Sequence, residues 1–351
     1  VDKRKTTKCL PNVSITSIVL SAAMLAGCST SIESSQPQST QHISQGVYEV
    51  EYASAAQFNV AMNALHQQAQ QYCHNDTSLE SVEEAWQQGM QRWMWLQGQE
   101  RGPMLALEQN WNIQFWPDKK NTTGRKMAAA SKQSSWSVSE VKNESVTVQG
   151  LGAVEWMLFD VKGRPSIESK TNCSLLSAIT GSLAERSATI LTAWSENPWQ
   201  ALDEKAWHAE YLALQTNQLD YTMKKLSRPL AKIGAAKPYF AESWRAKTSM
   251  TNIKSNVEAL QALYLANGQG LDSILRHSGD SRLADSIKQQ FVTLLDTWPE
   301  NPSLFELLQD KDGYRAALSQ YNKLEQLKYL ISEEAAVKLG IVIGFNATDG
   351  D

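Results

Sequence analysis

The sequence predicts an all-α chain built as two packed helical bundles, and three observations carry that expectation. Apolar residues recur at steps of three and four through most of the chain, the period that lays a stripe along one face of a helix. Strand-like alternation is scarce, and only residues 145–148, Ser-Val-Thr-Val, read as a short extended segment. The 351 residues exceed the roughly 250–300 at which a single core stops growing. The 42% apolar content and 12 Trp are therefore expected to fill two cores.

The amino terminus belongs to neither bundle. Lys3, Arg4, Lys5 and Lys8 precede an apolar run from Val13 to Ala26, and residues 25–28 read Leu-Ala-Gly-Cys. That run is about half the ~20 residues a spanning helix needs, and small residues follow it, so residues 1–27 read as a cleaved signal peptide. Its end resembles the lipobox of bacterial lipoproteins. The resemblance implies that Cys28 becomes the first mature residue and carries several acyl chains, which hold far more firmly than one. Ser29, where Asp does not follow the cysteine, implies outer-membrane export with the folded part facing the periplasm. Residues 28–46 are rich in Ser, Thr and Gln, with too little apolar surface to order themselves, and read as a tether.

Residues 47–197 form the expected first bundle. Phe58, Met62, Leu65, Ala69 and Tyr72 define a first helix that Cys73 closes; Ser81 with Glu84 reads as a capping box before Val82, Trp86, Gly89, Trp93 and Leu96. From 169 to 194, Leu176, Leu183, Ile190, Leu191 and Trp194 mark a longer helix with Cys173 on its flank. After Asn197-Pro198 the pattern recurs across 198–351. Ile253, Val257, Leu260 and Tyr264 give one stripe; Leu283, Ile287, Phe291 and Leu294 another; Leu318, Tyr321, Leu324 and Ile331 a third. Asp310-Lys-Asp312-Gly313 opens like a calcium loop but lacks its later ligands, and reads as a turn.

Charge and cysteine usage narrow the function. Removing residues 1–27 takes away four cations and Asp2, so 33 basic against 37 acidic residues becomes 29 against 36, a net charge of −7. Nucleic-acid binding has no electrostatic support there, nor does a polybasic membrane patch. With Cys9 in the signal and Cys28 lipidated, Cys73 and Cys173 remain, and an oxidising compartment pairs them.

Three segments mix aromatic and charged residues densely: 113–126, 149–156 and 240–249. In the second, Gly150 and Gly152 permit close backbone approach at the start of a helix, and Glu155 sits in its first turns, where the helix dipole favours a carboxylate. Glu155 reads either as a ligand-binding or catalytic acid or as a helix-terminal acid neutralised by a nearby cation. Taken in order, within a helical chain ending Gly344-Phe-Asn-Ala-Thr-Asp-Gly-Asp351, the three segments resemble the imelysin-like, or M75 peptidase, family over roughly residues 48–345. The resemblance implies an all-α fold of two bundles. It also implies kinship with iron-regulated lipoproteins and the periplasmic component of a ferrous-iron uptake system. The family hallmark is Gly-x-His-x-x-Glu; Gly150 and Glu155 match it, but Gly152 stands where the histidine would be.

That departure removes an imidazole, and a lone carboxylate holds transition metals weakly. Iron or another divalent metal is therefore implied by the resemblance alone. His42 falls in the tether, His66 and His74 flank the first helix end, His208 and His277 are far apart in sequence, and no HExxH occurs. No Ser/His/Asp or Cys/His arrangement stands out either. What remains is Asp118, Lys119, Arg125, Glu155, Glu242 and Arg245 among Trp116, Trp156 and Trp244. Glu155, Arg125, Glu242 and Arg245 are expected to share one partly buried site between the bundles, as a ligand pocket or a salt-bridge network. The expected function is a non-enzymatic outer-membrane lipoprotein that faces the periplasm and binds a small molecule or metal in iron acquisition. The alternatives are a metallopeptidase and a scaffold for another envelope protein.

Overall fold

The computed structural model describes residues 41–341, and among these every regular element is helical. The signal segment, Cys28, most of the tether and residues 342–351 lie outside the described residues. Where the tether can be compared, its boundary moves. The His42 ring bonds Leu202 O at 2.9 Å, Ser44 is fully buried, and α1 (Gln45–His74) has begun by residue 45. Polar composition pointed to loose chain because residues 41–46 are held by hydrogen bonds, which leave no apolar signature.

The first bundle contains α1, α2 (Leu79–Trp93), the shorter α3 (Thr122–Ala130) and α4 (Gly150–Phe159), and α5 (Cys173–Ala193). The α1 stripe from Phe58 to Tyr72 is buried as the spacing predicts, against α5 and α2. The start of α2 lies a turn before Ser81: Ser78 is the N-cap, its side chain accepting the Ser81 N–H. Residues 145–148 make no strand. Ser145 caps a single 3-10 turn, Val146–Val148, whose Thr147 and Val148 face inward, so the alternation reflects one half-buried turn.

The second bundle contains α6 (Glu204–Leu230), α7 (Ser249–Leu265), α8 (Leu271–His277), α9 (Ser281–Asp296) and α10 (Lys311–Tyr329). The α7 and α9 stripes are fully in the core. Asp310 is an N-cap, its carboxylate accepting the N–H groups of Asp312 and Gly313, which explains a calcium-loop opening without a loop. The two bundles are halves of one compact unit. A buried polar stripe on α6, Tyr211, Gln215, Gln218, Thr222 and Lys225, runs at steps of four and three, and two of its members, Gln218 and Lys225, reach across to the first half. Gln218 Nε2 donates to Trp95 O at 3.1 Å, just past α2. No helix among the described residues is long and apolar enough to cross a membrane.

Cys73 near the end of α1 and Cys173 at the start of α5 form a disulfide, with Cα atoms 5.7 Å apart and a sequence separation of 100. The expected pairing is present, and it fastens α1 to α5. Closing so long a loop restricts the unfolded chain, so the Cys73→Ser/Cys173→Ser protein is expected to lose about 2–4 kcal/mol. Urea unfolding measures this, and two alkylatable thiols in the non-reduced, denatured wild type would show that the bond does not form.

Candidate functional site

The three mixed segments meet in one cleft of about 450 Å³ between the halves. Residues 114–123 supply one wall, Gly152 and Glu155 the floor, and residues 239–245 the other wall. Backbone contact builds the junction. Gly150 begins α4 at φ 74°, and a Cβ there would stand 2.4 Å from Ile113 O and 2.6 Å from Asn112 O. Only glycine lets the first and second segments touch in this way. Gly152, two residues on, has nothing within 4 Å of its Cβ position. The position where the resemblance would put a histidine is open space beside Glu155.

Glu155 is buried yet well provided for. Its Oε1 accepts the backbone N–H groups of Arg245 (2.9 Å) and Ala246 (3.2 Å), and its Oε2 lies 3.9 Å from Arg245 Nη1. Burial pushes the carboxyl up to about 6, and the Arg245 charge and the two N–H donors limit the rise. Arg245 is shared. Its Nε donates to Asp160 Oδ2 and its Nη2 to Asn121 Oδ1, each at 2.7 Å, and the guanidinium lies 4.4 Å from the Trp244 ring centroid. Asp160, at the end of α4, and Asn121 were not among the expected site residues.

Glu242, also expected here, turns its carboxylate inward to a partner that the sequence reading missed. Lys225 on α6 is fully buried, with Nζ 2.6 Å from Glu242 Oε2, an approach that makes an ion pair and not a directed hydrogen bond. Nζ also donates to Asn256 Oδ1 (2.6 Å) and Gln97 Oε1 (2.9 Å). Glu242 Oε1 accepts from Gln97 Nε2 (2.7 Å) and Gln114 Nε2 (3.0 Å), and Gln114 Oε1 accepts the Trp93 indole N–H. Burial lowers the Lys225 ammonium, and Glu242 opposes that shift.

The remaining expected residues divide. Trp116, Asp118, Lys119 and Trp244 line the cleft. The Trp116 indole donates to Phe240 O, tying the two walls, and Asp118 accepts the first N–H groups of α3 from Thr122 (2.6 Å) and Thr123 (2.8 Å). Two residues are corrected. Arg125 is exposed on α3 and bonds only Lys120 O and Thr122 Oγ1, since the helix turns it away from Glu155. Trp156 is buried in the hydrophobic core and does not line the cleft, because its neighbour Glu155 takes the inward position of that turn. Of the four charges expected to share one site, three border the cleft: Glu155 and Arg245, paired with each other, and Glu242, paired with Lys225 behind it.

This arrangement does not fit a tightly held transition metal in the cleft. Both Glu155 oxygens face cationic or N–H partners, Glu242 is engaged by an ammonium and two amides, and Gly152 offers no donor. Among the described residues no group of three His, Cys, Asp or Glu side chains is already arranged around one point. What the cleft does offer is two cationic side chains at its rim, Lys119 and Lys120, and an aromatic wall of Trp116, Tyr239, Phe240 and Trp244. A few oriented polar groups on an aromatic surface suit a small polar ligand.

Among solved structures, an imelysin-like protein from Psychrobacter arcticum 273-4 superposes with a TM-score of 0.72 at 18% identity, covering 86% of this chain and 96% of that one. A candidate iron-regulated protein A precursor from Parabacteroides distasonis ATCC 8503 gives 0.61 at 13% identity, covering 85% and 96%. No curated protein matches the sequence. The Peptidase M75 family model, described as imelysin, matches residues 51–331, and the chain belongs to that family.

Proposed function

We propose that this protein is a non-enzymatic, periplasm-facing lipoprotein of the outer membrane that binds a small polar ligand in the cleft between its halves, in a process linked to iron. The lipid anchor and the address rest on Leu25-Ala-Gly-Cys28 and Ser29. The iron link rests on the family and on a structural neighbour described as iron-regulated. One observation carries the binding reading: the cleft's two inward carboxylates already have buried cationic partners, while Gly152 leaves room beside them. A metallopeptidase needs the reverse, namely free donors around a metal and an acid free to move a proton.

Casein zymography with and without chelator, and thermal unfolding with and without Fe²⁺, Zn²⁺ and Ca²⁺, test this on the wild type and Glu155→Ala. No clearing is expected from either protein. Glu155→Ala is expected to cost about 1–3 kcal/mol, because the Arg245 and Ala246 N–H groups lose their acceptor, while Asp160 still compensates Arg245. Chelator-sensitive clearing, or submicromolar metal binding that Glu155→Ala abolishes, overturns the reading.

A further inference from the structure

The charges around the Glu155 cleft do not balance. Inside it each carboxylate is answered: Glu155 by Arg245, Glu242 by Lys225, and Asp118 by the Thr122 and Thr123 N–H groups at the start of α3. The cations around it are not. Lys119 and Lys120 line the opening, the Arg228 guanidinium lies 5.7 Å from the Trp116 ring centroid, and Lys237 Nζ lies 5.3 Å from that of Phe240. Among the described residues none of these four forms an ion pair. With the buried partners Lys225 and Asp160 included, six cations stand against four carboxylates here, in a chain whose net charge is −4. The positive excess is local to the cleft.

The aromatic wall points the same way. Trp116, Phe240 and Trp244 each already carry a cation over the ring, from Arg228, Lys237 and Arg245. A cationic ligand, which such rings would otherwise attract, meets like charge on them. Tyr239 carries no cation among the described residues and remains 63% exposed in the same wall, with its ring centroid 4.9 Å from that of Trp244 and 5.0 Å from that of Phe305. Those two neighbours hold the phenol in place while leaving much of it for a planar ligand to cover.

From this geometry we infer that the cleft takes a small organic anion bearing an aromatic ring, its acid group held by Lys119 and Lys120 and its ring laid against Tyr239. The inference rests on the proposed binding role of the cleft and adds the charge and shape of the ligand. The volume of about 450 Å³ confines that ligand to a small molecule. A cleft with low-dielectric walls focuses the field of its charges, so the two exposed lysines count for more there than on an open surface. Salt still screens them, because they stay in contact with water.

Calorimetry of the full chain at pH 7.5 with four probes tests this. Three share one ring system and differ in charge: 2-naphthoate, 2-naphthamide and 2-naphthylmethylammonium. The fourth, cyclohexanecarboxylate, keeps the acid without the aromatic ring. 2-Naphthoate is expected to bind at least about tenfold more tightly than the other three, the scale of a charge-assisted hydrogen bond, and to weaken as NaCl is added. Lys119→Gln/Lys120→Gln and Tyr239→Ala are each expected to weaken it about fivefold or more. All three residues are exposed, and circular dichroism checks the fold of both variants. Equal binding of the acid and any other probe, or wild-type affinity for 2-naphthoate in either variant, overturns the inference. An amide or ammonium probe that binds best and is weakened by Tyr239→Ala removes the ligand class but leaves the cleft as the binding site. Failure of all four probes to bind removes both.

Discussion

Replacing Lys225 by Met is expected to lower the stability of the protein by about 3–5 kcal/mol, the range for removing one member of a buried ion pair. The side chains are similar in length, so the change deletes charge and donors more than volume. Glu242 would keep its bonds from Gln97 and Gln114 but face an apolar chain where the ammonium stood; the Asn256 oxygen would lose its donor, and the Gln97 oxygen would keep only Asn256 Nδ2 at 3.4 Å. Restoring neutrality should recover much of the loss. In Lys225→Met/Glu242→Gln the charge is gone from both sides, and the double variant is expected to be more stable than the single one. Urea unfolding of the three proteins at pH 8 measures this. A single variant as stable as wild type at pH 8 would mean that the pair is not charged in the folded protein.

That pair also shows where sequence reading succeeds and where it stops. The stripes of α1, α7 and α9 were legible because an apolar residue every three or four positions has one economical use, burial against a neighbouring helix. The Cys73 to Cys173 bond followed from compartment and elimination. The three mixed segments announced a cleft because charges beside tryptophan are costly to bury unless they converge. Lys225 stayed hidden for the complementary reason. Tyr211, Gln215, Gln218, Thr222 and Lys225 repeat at helical spacing, and a polar stripe ordinarily reads as a solvated face. Here the stripe is buried, and Gln218 and Lys225 reach the other half of the molecule, a fact that depends on contacts between distant residues such as Gln218 with Trp95 and Lys225 with Gln97. Arg125 failed in the opposite sense. Its segment was rightly placed, but which way α3 turns its side chain depends on the Asp118 cap, a detail that spacing does not reveal.

Glu51 gives the second large expected effect: the protein should lose stability as pH rises toward 8, and Glu51→Gln should remove most of that loss. The residue lies within α1, fully buried, with no cation beside it; Gln99 donates to Oε2, and Oε1 has no partner. Burial pushes its carboxyl from 4.5 up to about 8, only partly offset by Gln99. The folded chain therefore keeps a proton that the unfolded chain gives up above pH 4.5. The stabilising contribution is complete below pH 4.5 and is lost as pH rises through 8. A difference of this size corresponds to at most about 5 kcal/mol between the two limits. Glu155 shifts in the same direction, but only to about 6, so its share is largely spent by pH 7. Above pH 7 the remaining loss therefore belongs to Glu51 and not to Glu155. Glutamine keeps the shape and still offers an oxygen to Gln99, yet carries no charge at any pH. The expected outcome is similar stability for the two proteins at pH 5, a wild type that falls away up to about pH 8 and levels off above it, and a variant that stays level by comparison. Parallel pH profiles for wild type and Glu51→Gln would show that the buried acid is ionised and compensated by a group that the present geometry does not contain.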